Sequence, residues 1–139
     1  MTDLNIAKNN LSGHTLCLCK EGHCLYSDLR GIAPIMQLMA HSTDLRGYSA
    51  ADTVVGKAAA MLFARCGIAS VYAKTLSESA RRVLLKHGIP HSYEQLAPQI
   101  RNRAGTDMCP MENAVQHTDD LDEAYILLQR QMQLLHTTA

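Results

Sequence analysis

The sequence predicts a three-layer α/β/α domain on a mixed sheet that begins with a β-hairpin. Three observations lead there. Two short β-rich runs flank Lys20-Glu-Gly-His23, a connection with the glycine that a tight hairpin wants. From residue 46 onward, short apolar strands alternate with helical segments, the pattern of a sheet whose later strands are parallel and covered by helices. The chain has 139 residues with no linker, repeat or low-complexity segment, which fits one domain over 1–139.

Each element has a local reason. Residues 2–11 read as a helix with Thr2 or Asp3 as N-cap and Leu4, Ala7, Lys8 and Leu11 at helical spacing, ended by Gly13. His14–Cys19 and Cys24–Ser27 form the hairpin. Gly31–His41 is helical, with Pro34 tolerated in its first turn. Arg46–Ala51 reads as a strand, followed by a helix from Thr53 to Arg65 capped by Asp52 and closed by Gly67. Ser70–Lys74 is a strand, Ser77–His87 a helix with Gly88 after it, and Ile89–Glu94 a further strand. Residues 95–108 read as a loop, and a short helix follows Cys109-Pro110. The last helix starts at an Asp119/Asp120 cap and carries one apolar stripe: Leu121, Ala124, Tyr125, Leu128, Met132 and Leu135.

Composition narrows the function. Lys plus Arg number 13 and Asp plus Glu number 13, so the chain lacks the basic excess that a nucleic acid polymer requires. Pairs such as Arg81-Arg82 or Arg101/Arg103 suffice for one or two phosphates, which points to a metabolite-sized partner. No apolar run approaches the roughly 20 residues that span a bilayer, and the start of the chain lacks a secretory pattern. Five scattered cysteines, an odd set, predict reduced thiols and a cytoplasmic protein rather than a disulfide framework.

Gly31-Ile32, Asp52-Thr-Val-Val-Gly-Lys-Ala-Ala-Ala60, Val71-Tyr-Ala-Lys74 and Asn102-Arg-Ala-Gly followed by Cys109-Pro-Met-Glu112 carry a resemblance. They resemble a bacterial and archaeal family of unknown function with a cytidine-deaminase-like fold, over nearly the whole chain. The resemblance implies that fold, brings no established activity, and implies a homo-oligomer, most simply a two-fold dimer.

Zinc deaminases need a His or Cys, a Glu two residues later, and a Pro-Cys-x-x-Cys at the next helix. Laid on this chain, the first site falls on Val55-Gly56-Lys57 and the second on Leu76 and Ser79. Neither valine nor leucine can bind zinc, so no metal, no cofactor and no zinc-dependent deamination are expected. Cys109-Pro-Met-Glu112 has its Cys and Pro in reversed order, lacks a second Cys, and comes too late in the chain.

Other side chains could occupy the same pocket. Lys57 follows Gly56 near a helix start, where free N–H groups and the dipole favour an anion. It reads equally as an anion contact and as a solvated lysine. The run from Ala51 to Ala58 is a degraded phosphate loop, with Ala where a true one has Gly first and Ser or Thr last. Asp52 reads as an N-cap before it reads as a ligand or acid. Cys109 precedes a helix start, where a thiolate can become nucleophilic, although a packing role is simpler. Glu112 fits a helix-start charge or a ligand contact, and Asn102 and Arg103 fit a phosphate clamp or the loop's own bonding.

Lys57 and Cys109 are thus the candidate catalytic residues, and Asp52, Gly56, Lys57, Asn102, Arg103 and Glu112 the candidate ligand contacts. The ligand class they suit is a small anionic or nucleotide-like metabolite. The alternative is a non-catalytic binding or regulatory module that kept the fold. Cys17, Cys19 and Cys24, with His14 and His23 nearby, read as small hydrophobes of a buried hairpin rather than a tetrahedral zinc site.

Overall fold

In the computed structural model, residues 2–101, 105 and 108–137 are described. Five strands form one sheet: β1 (Leu16–Lys20), β2 (His23–Ser27), β3 (Ser49–Val55), β4 (Ser70–Ser77) and β5 (His91–Ala97). Their order is β2-β1-β3-β4-β5. β1 is antiparallel to β2 and β3, while β3, β4 and β5 run parallel. The hairpin-led mixed sheet of the sequence reading is therefore present.

The helices are α1 (Asp3–Asn9), α2 (Ala33–Ala40), α3 (Lys57–Arg65), α4 (Glu78–Lys86), α5 (Pro110–Ala114) and α6 (Leu121–Thr137). Two cores define the layers. The larger joins the sheet to α2, α3 and α4, with Phe63, Leu62, Val71 and Leu84 wholly buried, and with Ala124 and Leu128 of α6 packed in from outside. The smaller lies under α1 and comprises Ala7, Leu11, Cys17, Cys19, Ala51 and Tyr72. The three layers are α1, the sheet, and the α2–α4 group backed by α5 and α6.

Several boundaries move, each for a local reason. Thr2 caps α1, its hydroxyl accepting from the Asn5 N–H at 3.1 Å. Thr53, Val54 and Val55 extend β3 instead of opening a helix, because β-branched side chains suit a pleated strand better than a helix's first turn. α3 therefore begins at Lys57 with Gly56 as its N-cap, and Asp52 is not a cap at all. β4 runs on to Ser77, whose Oγ then accepts from the Ala80 N–H at 3.0 Å and caps α4. β5 is an edge strand, exposed over Ser92–Leu96.

Cys19 and Cys24 pair across the hairpin and are joined by a disulfide, which corrects the expectation of reduced thiols throughout. Hairpin register puts their Cα atoms 4.2 Å apart, close enough to bridge. Cys17, Cys66 and Cys109 remain free. On α6, Leu121, Ala124, Tyr125, Leu128 and Met132 pack on the chain's own core, so that stretch of the stripe needs no second subunit. Leu135 is exposed. Among the described residues no helix is long and apolar enough to cross a membrane.

Candidate functional site

Three parallel strands end side by side, and the helices that follow β3 and β4 start there. In open α/β sheets, that carboxyl edge is where connecting loops leave room for a ligand. Gly56 and Lys57 follow β3, Ser79 follows β4, and Pro98 and Gln99 follow β5. The returning chain closes the edge. The Cys109 N–H donates to the Ile100 carbonyl at 3.0 Å, and Arg101 bridges to Met108, which sets α5 against the start of α3.

Glu112 on α5 is the centre of this arrangement. Its carboxylate accepts from the backbone N–H of Lys57 at 2.7 Å and of Ala58 at 2.8 Å. These are donors that a helix start leaves without intrahelical partners, at the positive end of its dipole. The sequence reading looked for a bound anion at this place, and the chain's own carboxylate occupies it.

Gly56 makes this approach possible. A Cβ there would fall 2.6 Å from Cδ of Glu112, inside any tolerable contact. Its φ of −98° is ordinary, so close approach and not backbone conformation requires the glycine. Burial pushes the Glu112 carboxyl up from its usual range, while the Ala58 and Lys57 N–H groups and the Lys57 charge pull it back.

Lys57 is engaged within the chain. Its Nζ donates to the Gln116 carbonyl at 3.3 Å and lies 3.5 Å from Oδ1 of Asp119. At the far end of α3, Arg65 donates to Asp122 at 3.0 Å and stacks 4.4 Å from the Tyr125 ring centroid. α3 is thus tied to the α5–α6 segment at both ends.

Two adjoining cavities open at the strand edge. One, of about 240 Å³, is lined by Lys57, Ser79, Arg82, Gln99, Glu112 and Gln116 among others. The second, of about 270 Å³, shares Lys57, Ser79 and Arg82 and adds Val83, Lys86 and Asp119. The α4 residues come from one helix face: 79, 82, 83 and 86 are spaced i, i+3, i+4 and i+7. No carboxylate among the described residues lies within salt-bridge reach of Arg82 or Lys86.

Cys109 lines a different, smaller and mostly apolar cavity of about 80 Å³, with Gly31, Ile32, Val54, Gly56, Ala58 and Met111 among its walls. Glu112 borders both this space and the cavity of about 240 Å³. Lys57 and Cys109 therefore line different cavities.

Asp52 lines none of these three cavities. It sits in β3 in register with Leu16 and Ala73, both members of the larger core. Burial lifts its carboxyl from 3.8 to about 7, against bonds from the Thr53 and Val54 N–H groups and the Thr53 hydroxyl that lower it. Asn102 and Arg103, expected as clamps, lie outside the described residues.

The site does not suit the zinc of a deaminase. Val55 and Leu76, at two of the ligand positions, are fully buried hydrocarbons. Lys57 stands at the position of the acid/base Glu, and its amine is engaged as above. Only Ser79 offers an oxygen, and it lies 3.1 Å from Oγ of Ser77.

Ser79, Arg82 and Lys86 were missed as a set in the sequence. The signal was present in the S-x-x-R-V-x-x-K spacing, which puts a hydroxyl and two cations on one helix face. Reading Arg81-Arg82 as a sequence pair hid it.

Comparison with known proteins places the chain. No curated protein matches it. A crystal structure of a DUF1893 family protein (TM1506) from Thermotoga maritima is similar at 26% identity, covering 84% of this chain and 80% of that one with a TM-score of 0.78. A dCMP deaminase from the cyanophage S-TIM5 shows 13% identity over 65% of this chain and 90% of that one, with a TM-score of 0.45, too slight a likeness to argue from. Residues 6–132 match the family described as TM1506: Domain of unknown function (DUF1893). With that match over most of its length, the chain belongs to the DUF1893 family.

Proposed function

We propose that this protein binds a small, phosphate-bearing, nucleotide-like metabolite at the carboxyl edge of β3–β5, without zinc-dependent deaminase chemistry. One observation carries the reading: two adjoining cavities share Lys57, Ser79 and Arg82, and Lys86 lines the second. Three cations and a hydroxyl line them, while among the described residues the exposed Asp119 and the Glu112 carboxylate, held by backbone N–H groups, oppose them. Arginine's planar fork suits a phosphate bidentately, and lysine adds a point charge. Together the cavities have the volume of a small metabolite rather than a polymer.

The separation of Cys109 from Lys57 favours binding over covalent catalysis, so a non-catalytic binding module is the second reading. The proposal includes a two-fold homodimer, for which the exposed Ile126, Leu134 and Leu135 of α6 offer the apolar area. It also includes a cytoplasmic location.

Thermal melting tests the ligand reading. Inorganic phosphate and nucleoside monophosphates should raise the melting temperature of the wild type. A hundredfold excess over Kd corresponds to about 3 kcal/mol of added stability. Lys57→Ala and Arg82→Ala should each reduce the shift, and Arg82→Ala should change ligand-free stability little, since Arg82 is exposed and a surface substitution of that kind is worth about 0.5 kcal/mol or less. Equal shifts in all three proteins would place the anion elsewhere.

A further inference from the structure

The sheet face under α1 carries a second cluster, remote in character from the polar edge. Cys17, Ala51 and Tyr72 are register partners across β1, β3 and β4, and all three are buried in the smaller core. Cys19 lies two residues from Cys17 on the same strand face, and Cys24 opposes Cys19 on β2. The result is three sulfurs whose Sγ atoms all lie within 4.8 Å of one another. Cys17 and Cys19 sulfurs are 3.7 Å apart.

We propose that, when the Cys19–Cys24 disulfide is reduced, Cys17, Cys19 and Cys24 form a three-sulfur site for a soft monovalent cation of the copper(I) class. A metal–sulfur bond of about 2.3 Å in a trigonal plane sets sulfurs about 4.0 Å apart, close to the 3.7 Å between the Cys17 and Cys19 sulfurs and within the 4.8 Å that spans the group. Thiolates select soft ions. Zinc is disfavoured because it takes four ligands, and no other His, Cys, Asp or Glu joins this group among the described residues.

The surroundings fit a desolvated soft ion. Ala7, Leu11, Leu4 and Ile6 of the N-terminal segment cover the sulfurs, and Cys24 is only half-buried, which leaves an entrance. Lys8 of the same helix places its ammonium 4.7 Å from the Tyr72 ring centroid and brings positive charge to the cluster's edge.

The chemistry has two balanced steps. A phosphine reductant and one water convert the disulfide to two thiols, and the phosphine becomes its oxide. The cation then takes the place of thiol protons, which leave to solvent, one for each thiolate that ligates.

Native mass spectrometry of phosphine-reduced protein, loaded anaerobically with copper(I) in the presence of a competing chelator, tests the site. The wild type and a Cys66→Ser/Cys109→Ser double variant should each retain one copper per chain. Cys17→Ser and Cys24→Ser should lose it, and Cys17→Ala should do the same while preserving apolar packing. Circular dichroism verifies that each variant is folded. Copper retained by the folded Cys17 and Cys24 variants, or lost from the Cys66/Cys109 variant, would overturn the proposal. Zinc held as tightly as copper(I) would overturn the choice of a soft monovalent ion.

Discussion

Replacing Asp52 with Asn should change how stability depends on pH, and the direction follows from burial. The Asp52 carboxyl is raised from 3.8 to about 7 in the folded protein. Between those values the unfolded chain has released its proton and the folded chain still holds it. The unfolded state therefore binds fewer protons, and stability falls as pH rises through this window. The contribution is fully present below about pH 4 and lost by the time pH passes about 7. The interval from 3.8 to about 7, at 1.36 kcal/mol per unit, sets a ceiling of about 4 kcal/mol.

Asn cannot ionise, yet its carbonyl oxygen can still accept from the Thr53 and Val54 N–H groups that serve the carboxyl. Denaturant unfolding of both proteins at about pH 4, 6 and 8 gives the stability difference directly. Glu112 is also raised by burial and tilts the wild type the same way, but it is common to both proteins and cancels in the difference. Asp52→Asn should gain on the wild type as pH rises, by up to about 4 kcal/mol. A difference that stays constant with pH, or that moves in favour of the wild type, would refute a neutral buried carboxyl at this position.

Glu112→Gln keeps the shape but exchanges one acceptor for a donor facing an N–H, and should cost about 1–3 kcal/mol in denaturant unfolding; an unchanged midpoint would contradict the capping bonds. Gly56→Ala should destabilise by a comparable amount, because the added Cβ displaces the same carboxylate; combined with Glu112→Ala, its effect should shrink well below the sum, and full additivity would count against the clash. Protein purified without chelator should carry no stoichiometric zinc by elemental analysis, and one zinc per chain would overturn the exclusion drawn from Val55, Leu76 and Ser79. Light scattering should give twice the 15.3 kDa chain mass if the homodimer forms, whereas a monomer mass across a tenfold dilution would remove it.

Strand and helix order was legible because each element has its own periodicity and punctuation, as with Thr2 before α1 and Gly67 and Gly88 after α3 and α4. The Asp52–Val55 segment was misread because Asp is a strong cap residue in isolation. The β-branched run Thr53-Val54-Val55 favours a strand, and the placement of β3 between β1 and β4 holds it extended. The sequence put Gly56, Lys57 and Glu112 among the contacts of one pocket, but the direct bond from the start of α3 to the Glu112 carboxylate was not legible. It depends on a return of the chain over 55 residues, from α5 to the start of α3, and no local pattern encodes that. Cys19 and Cys24 show the converse: hairpin register was readable, and counting cysteines over the whole chain outweighed it.

Calorimetric titration of a nucleoside monophosphate and its parent nucleoside into the wild type and a Lys57→Ala/Arg82→Ala variant tests the central claim most directly. The account predicts that the wild type binds the phosphate-bearing compound more tightly than the nucleoside, with affinity falling as salt rises. It also predicts that the double variant loses the preference. Equal binding of both compounds to both proteins, or none to either, would contradict an anion site at the carboxyl edge of β3–β5.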